Sequence, residues 1–438
     1  MRTPTGALDV EELFLENGLR VLLYPVPESP TASVWVWYRV GSRNEWPGIT
    51  GASHWVEHML FQGSPGYAKG AMDRAIVSVG GRLNAFTDTD FTAYFSIVPR
   101  DHIGIPLDIE ADRMTRAFLA PEEVERERTI IYSEREGNEN WPEFRAEEEL
   151  YALAFRHHPY RWDPLGYKTD IQHLSAEGLS HYYHRYYGPK NATLVVTGGF
   201  SPEKTRAEVR TRFSPLPAVG EEPRVDVVEP PANGERRAML TGPGTTPFIR
   251  MAWRAPAFAD DRTPAALLLD TILSGENPLF SASPGWFHST EHPSARLYRG
   301  LVVPGLAVHA SSEFRPRANP GLFGIHAQAA PGVSLDRLED RINVEVRRIV
   351  RRGPTKEEME EARVKVRRGA ELAYEGASRA GFRLGYFAML GPAGTEAKVL
   401  GQLLATRARE VHALAAEIFR EESRVVVRYE PKQGEEND

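Results

Sequence analysis

The chain has 438 residues, 41% hydrophobic and 26% charged, a length that accommodates two to four domains at roughly 100 to 200 residues each. With 53 Lys and Arg against 60 Asp and Glu the net charge is -7, so the overall field does not draw in nucleic acid or an anionic membrane, and neither is expected as a partner. Cysteine is absent, which excludes disulfide scaffolds, thiol nucleophiles, iron–sulfur clusters and thiolate zinc sites; any metal must sit on His, Asp or Glu.

The opening MRTPTGALDVEELFLENG has no apolar stretch of signal-peptide length, and no run of about 18 apolar residues follows it. The expected location is cytoplasmic, with the periplasm as the alternative. GLRVLLYPV and ASVWVWYRVG are β-rich runs split by a Pro/Ser turn, and the segment from Gly51 to Phe61 has helical apolar spacing. GGRLNAFTDTDFTAYFSIV predicts two more strands. Helices are expected over 103–117, 121–140, 142–156 and 175–187, and ATLVVTGGF is the last strand of a unit that closes near residue 215. SPLPAVGEEPRVDVVEPPANGE is rich in Pro, Gly and acidic residues and has neither period, which marks a linker over 216–234.

The pattern then recurs, with RRAMLTG and PFIRMAWRAP as strands, TPAALLLDTILSG as a helix and SRVVVRYEP in the place of ATLVVTGGF. Setting Gly275 on Gly63 puts Ala266, Leu269 and Asp270 where the first half has His54, Glu57 and His58. Two repeated units are therefore expected, 1–215 and 235–438, with metal chemistry only in the first. The PKQGEEND tail is expected to fray.

His54-Trp55-Val56-Glu57-His58 lies in the first unit's helix. Residues four apart share a helical face, so both imidazoles can reach one ion while Glu57 stands beside them as a base. The full H-x-x-E-H pattern arises by chance roughly 0.02 times in a chain of this length and His content. Two His need a third protein ligand, and without Cys the candidate is a carboxylate. On the acidic helix EEVERERTIIYSERE, Glu127 and Glu134 stand close to two turns apart on one face, so one can ligate while the other braces a ligand. Without the His pair such a helix reads as a solvated charged face.

The H-x-x-E-H order resembles the inverted zinc motif of the pitrilysin/insulinase metallopeptidases. The chain is similar to the mitochondrial processing peptidase and its bacterial relatives through VGSRNEWPGITGASHWVEHMLFQGS, GGRLNAFTDTDFTAYF, the acidic helix and YYGPKNATLVVTGGF. The resemblance implies Zn2+ held by His54, His58 and a Glu about 76 residues after the second His, which here is Glu134. It implies Glu57 as the catalytic base and Glu127 as a further carboxylate of the catalytic site, orienting ligands. It also makes Asn84-Ala85-Phe86-Thr87 an edge strand on which a peptide substrate lies as an added strand, where composition alone reads an ordinary hairpin with a TDTD turn. Gly41 and Gly63 read as turn glycines, and Trp35, Trp37 and Trp55 as core.

The implied fold is α+β: two homologous domains, each a mostly antiparallel sheet with helices packed on it, forming half of a clam-like chamber. The implied activity is zinc-dependent hydrolysis of peptides inside that chamber. Two rivals stand beside it, a non-catalytic assembly subunit with a vestigial metal site and a zinc hydrolase for a non-peptide substrate.

One segment departs from the family pattern. Self-sufficient members resemble L-R-x-x-x-G-L-A-Y in the second domain, where the Arg and Tyr bind substrate and stabilise the oxyanion. Here Gly300-Leu301-Val302-Val303-Pro304-Gly305-Leu306-Ala307-Val308 puts Leu301 and Val308 at those places, and neither side chain donates a hydrogen bond. Arg296 and Arg299 are near, but on a strand even the two-residue offset of Arg299 displaces a side chain by about 6 to 7 Å. The implied partner is a homologous chain that supplies the Arg/Tyr pair in a heterodimer, with this chain as the zinc-bearing half.

Overall fold

The computed structural model describes residues 10–275, 279 and 292–432. The first nine residues, the stretch between Gly275 and His292 apart from Leu279, and residues 433–438, which are most of the PKQGEEND tail, lie outside the described residues. The first domain begins with β1 (Glu11–Phe14), β2 (Arg20–Pro25) and β3 (Thr31–Tyr38), then α1 (Ala52–Met59), α2 (Ala71–Ser78), β4 (Arg82–Thr87) and β5 (Thr92–Pro99). Helices α3 (Gly104–Arg116), α4 (Pro121–Glu139), α5 (Pro142–Ala154), α6 (Lys168–His173) and α7 (Ala176–Tyr186) follow, and β6 (Ala192–Gly198) and α8 (Pro202–Phe213) complete it. The second domain runs through β7 (Arg236–Gly242), β8 (Phe248–Arg254), α9 (Thr263–Ser274), β9 (Ala307–Phe314) and β10 (Leu322–Ala329). It ends with α10 (Leu335–Arg352), α11 (Lys356–Leu372), α12 (Ala377–Leu390), α13 (Thr395–Ala405), α14 (Ala408–Ile418) and β11 (Val425–Pro431).

The two domains repeat one topology. The first sheet has the order β1-β2-β6-β3-β5-β4 and the second β7-β11-β8-β10-β9. In each, the first and last strands of the shared pattern pair in parallel, β2 with β6 and β7 with β11, and the other described pairings are antiparallel. The fold is thus α+β with two mostly antiparallel sheets. Sequence periodicity located β2 to β6, β7, β8, β11 and the helices α1, α3, α4, α5, α7 and α9. It did not register β1, α2, α6 and α8, or anything between α9 and β11.

Each domain lends a helix to the other. α5, in the first half of the chain, packs Ala146, Leu150 and Ala154 against Phe248, Val427 and Tyr429 of the second sheet. α12, in the second half, packs Ala380, Leu384 and Ala388 against Trp35, Trp37 and Val195 of the first. This explains why β3, TASVWVWY, is buried at every position after Thr31: its other face already carries Val34, Val36 and Tyr38 into the core beneath α1 and α3. The close approach of α12 depends on two glycines one turn apart, since a Cβ on Gly381 would fall 2.3 Å from Trp35 Nε1 and one on Gly385 would fall 1.9 Å from Trp37 Nε1.

α12 lies mainly over β3 and β6 and touches β4 through Phe382 against Phe86, and α5 lies mainly over β7, β11 and β8, so the β5–β4 end of the first sheet and the β10–β9 end of the second are covered least. These two ends bound an open cleft of about 1190 Å³, lined on one side by Asn84, Phe86 and Phe95 and on the other by Ser311, His326 and Gln328. No helix among the described residues is long and apolar enough to cross a membrane.

Candidate metal centre and peptide edge

α1 is held by both ends of its sequence. Glu45 accepts hydrogen bonds from the backbone N–H groups of Gly51 (2.7 Å) and Ser53 (2.8 Å), satisfying donors left over at the helix start. Trp55, Val56 and Met59 anchor the helix in the first core, fully buried. With that face fixed, His54 and His58 turn toward α4, and their rings sit 4.7 Å apart.

The third group comes from α4. Glu134 Oε2 lies 3.7 Å from His54 Nε2 and 3.6 Å from His58 Nε2, and the ligand atoms of the three residues all lie within 4.8 Å of one another. Ligand atoms about 2.0 to 2.2 Å from a tetrahedral zinc stand about 3.3 to 3.6 Å apart, so this donor set fits a zinc ion with little movement. His58 Nδ1 and Glu127 Oε2 are 3.1 Å apart; Nδ1–H donates to Glu127, and Nε2, whose proton points at Glu134 here, is the ring atom that would give up that proton to an ion. Gln62 donates to Glu127 Oε1 at 2.8 Å.

Burial and charge divide the titrating groups. Burial, reinforced by the neighbouring His58, pushes His54 down to about 4 and so keeps it a neutral imidazole. Burial also opposes a charge on His58, but its bonds to Glu127 and Glu134 prevail and raise it to about 9. The hydrogen bond from His58 holds Glu134 below the usual carboxylate range. Glu57 is only 9% exposed; burial pushes it up to about 7, against the opposing hydrogen bond from Thr87. A carboxylate poised near neutrality beside two imidazoles has the proton affinity of a general base.

β4 is the edge of the first sheet, paired with β5 alone among the described strands. Asn84, Ala85 and Phe86 line the cleft, while Thr87 turns inward and donates a 2.6 Å hydrogen bond to Glu57 Oε2. Arg317, across the cleft, pairs with Asp88 at 3.3 Å, and Ala318 N–H donates to Asp90 at 2.8 Å. The TDTD turn after the edge strand is thereby tied to the second domain.

Several residues sit differently from the sequence expectation. Gly63 has φ of 127°, as a turn glycine should. Gly41 is extended instead, with φ of -156°, and its smallness serves a close approach: a Cβ there would fall 2.2 Å from the Asp88 carbonyl oxygen. The Leu301 region is no strand, since residues Tyr298–Val302 form a π-helical turn with Leu301 fully buried; the strand-offset argument for Arg299 does not apply there. Val308 lies on edge strand β9 and is 44% exposed. Arg296 is bound bidentately to Glu358 at 2.8 and 2.6 Å and to the Gly353 carbonyl at 3.1 Å. Asp270, in the place of His58, accepts hydrogen bonds from Ser312 and from the Phe314 N–H, a structural tie to β9. Sequence reasoning missed Gln62, Glu45 and the bond from Thr87 to Glu57. Gln62 had a signal, being four residues past His58 on the same side of the chain's helical turn.

The chain is thus a two-domain α+β fold in which two His and a Glu gather beside the edge of the first sheet. The family model Insulinase (Peptidase family M16) matches residues 20–164, and the model Peptidase M16 inactive domain matches residues 173–365. The chain belongs to the M16, or insulinase, family. Among its relatives is the zinc protease PqqE of Helicobacter pylori, 30% identical over 253 residues, which are 57% of this chain and 57% of that protein. The uncharacterized zinc protease YmxG of Bacillus subtilis is 24% identical over 408 residues, 93% of this chain and 95% of that one. A crystal structure of a protease from Helicobacter pylori superimposes with a TM-score of 0.89 at 23% identity, covering 97% of this chain and all of that one; it shares the fold.

Proposed function

We propose that this chain is a zinc-dependent endopeptidase or oligopeptidase that hydrolyses peptides inside a chamber completed by a partner subunit. The observation that carries the reading is the meeting of His54, His58 and Glu134 beside a buried Glu57 that is hydrogen-bonded to the edge strand. The zinc protease names of its relatives support it.

In this reading His54, His58 and Glu134 hold zinc. When bound, the ion supplies Lewis acidity toward water and toward the scissile carbonyl. A peptide lies along β4, its main chain paired with the N–H and C=O groups of Asn84 to Phe86. Glu57 takes a proton from the water that attacks the peptide carbonyl and passes it to the leaving nitrogen. Thr87 fixes the orientation of the Glu57 carboxylate, and Glu127 fixes that of the His58 ring.

Among the described residues, the two positions that align with the family's Arg and Tyr, Leu301 and Val308, carry no side-chain donor. Leu301 is buried and Val308 has no donor, Arg296 is occupied by Glu358, and Arg299 lies near Glu358 and Glu361. A homologous chain carrying the Arg and Tyr fills that gap. The same absence favours the second reading, an assembly subunit with a vestigial metal site. Cleavage of a quenched peptide by this chain, alone and with a homologous chain that has L-R-x-x-x-G-L-A-Y, separates them. Chelator-sensitive cleavage by the mixture, lost when the partner's Arg is mutated, is expected. A zinc-loaded mixture that forms a complex and cleaves nothing overturns the peptidase reading, and full activity of this chain alone overturns the divided labour.

A further inference from the structure

We propose that Arg135 is a positioning residue for the metal centre: by gripping Glu148 it sets the rotation of α4, and so the reach of Glu134, from a helix that is docked on the second domain. The inference rests on the reading of Glu134 as a metal ligand.

α4 is anchored unevenly. Its first turns are held within the first domain by Val124 and Ile131, both fully buried, and by Arg128, whose Nη2 donates to the Leu174 carbonyl at 2.8 Å while its guanidinium lies 4.7 Å from the Trp55 ring. Beyond Ile131 the helix is exposed or half-buried except at Arg135, which is 6% exposed. Gly137 adds no packing there and weakens the last turns. Tyr132, packed against the first core, and Lys168, paired with Glu139 at 2.6 Å, also hold this part of α4, but past Ile131 Arg135 is the one fully inward side chain of the helix.

That side chain reaches out of its own domain's core. Arg135 Nη1 and Nη2 donate to the two oxygens of Glu148 at 2.6 and 2.8 Å, its Nε donates to Glu139 at 3.2 Å, and its guanidinium sits 5.1 Å from the Phe144 ring. Glu148 and Phe144 belong to α5, which packs on β7, β8 and β11 of the second sheet. A bidentate pair fixes orientation as well as charge. The lever is short but sufficient: a carboxylate about 6 Å from the helix axis moves by about 1 Å for a 10° rotation, whereas metal–ligand distances tolerate roughly 0.2 Å. Loss of the Arg135–Glu148 grip leaves Glu134 to search for the ion, while His54 and His58 stay in place on α1.

The test is zinc affinity, measured by competition with a chromogenic chelator on the full chain. Glu148→Gln and the milder Arg135→Lys, which keeps the charge and loses the fork, are expected to weaken zinc binding by about 10 to 100-fold with unchanged far-UV circular dichroism. The exchange Arg135→Glu with Glu148→Arg is expected to recover most of the loss. Glu339→Gln, which breaks the Arg237–Glu339 pair inside the second domain, serves as the control for general loosening and is expected to leave zinc affinity unchanged. Affinity within twofold of wild type in both Glu148→Gln and Arg135→Lys overturns the proposal, as does an equal loss in Glu339→Gln. Wild-type protein that binds no zinc removes the metal-site reading itself, and is distinguished by being measured first.

Discussion

Thr87 Oγ1 donates a 2.6 Å hydrogen bond to Glu57 Oε2, so the edge strand that can receive a peptide and the helix that carries the histidines meet at a single carboxylate. Because Thr87 follows Phe86 on β4, the proposed function has a peptide paired with that strand delivered alongside Glu57. Glu57→Gln keeps the shape and can still accept the Thr87 hydrogen bond, but its amide cannot take up a proton. Turnover in the presence of any required partner is expected to fall by about 10² to 10⁴-fold with zinc content unchanged. Wild-type turnover in this variant would remove Glu57 from the mechanism.

Zinc content is expected to be one ion per chain, dependent on His54, His58 and Glu134. His58→Ala leaves two protein ligands and is expected to lose bound metal through gel filtration. Elemental analysis of folded protein checks this. Retention of a full equivalent by the His58→Ala protein would place the metal elsewhere.

Glu127→Gln acts one step further out. The amide oxygen can still accept from His58, yet it carries no charge to strengthen that ring as a ligand, and its NH2 then faces Gln62, which must turn its own amide oxygen to receive it. Zinc is expected to bind about 10 to 100-fold more weakly, with the maximal rate of the zinc-saturated protein reduced less than in Glu57→Gln. Unchanged affinity and unchanged rate together would reduce Glu127 to a structural carboxylate.

Asp270 predicts a pH dependence of stability. Burial pushes its carboxyl from 3.8 up to about 7, against hydrogen bonds from Ser312 (2.5 Å) and the Phe314 N–H (3.1 Å). Between those two pH values the folded chain holds a proton that the unfolded chain has released, so this group's contribution to stability falls as pH rises from about 4 to 7 and stays low above it. Asp270→Asn mimics the protonated form, accepting from Phe314 and donating to Ser312. The variant is expected to be more stable than wild type at pH 8 by roughly 1 to 4 kcal/mol, at about 1.4 kcal/mol per pKa unit, with the difference vanishing near pH 4. Thermal or urea unfolding across that range measures it, and a constant difference at all pH values contradicts the assignment.

Part of the candidate site was readable in the sequence because helical period is a strong local constraint: four residues return His58 to the face of His54, and seven return Glu134 to that of Glu127, whereas the choice of Glu134 over Glu127 beside the imidazoles came from the family resemblance. The run of β-branched and aromatic residues likewise exposed β3, and recurrence of the pattern exposed its repeat β8. The destinations of α5 and α12 were not readable, since Ala146, Leu150 and Ala154 form a stripe that says only that a face is buried, not against which sheet. The π-helical turn at Tyr298–Val302 was equally silent, because its backbone is set by packing of Gly300 against Glu345 and by Arg341 bonding the Gly300 carbonyl at 2.8 Å, contacts made with a helix about forty residues away in sequence.

The exchange of helices between the domains gives the chain a birth order. During synthesis the first sheet is complete once Gly198 has left the ribosome, but the face formed by Leu22, Trp35, Trp37 and Val195 must wait for Ala377–Leu390 before it is covered. Until then an aromatic surface stands open to solvent, and α5 waits likewise for β7, β8 and β11. Neither half can bury this surface alone, so a chain released before Leu390 presents an aromatic face to solvent, and a chain nicked in the connecting segment is expected to keep its two parts associated through α5 and α12.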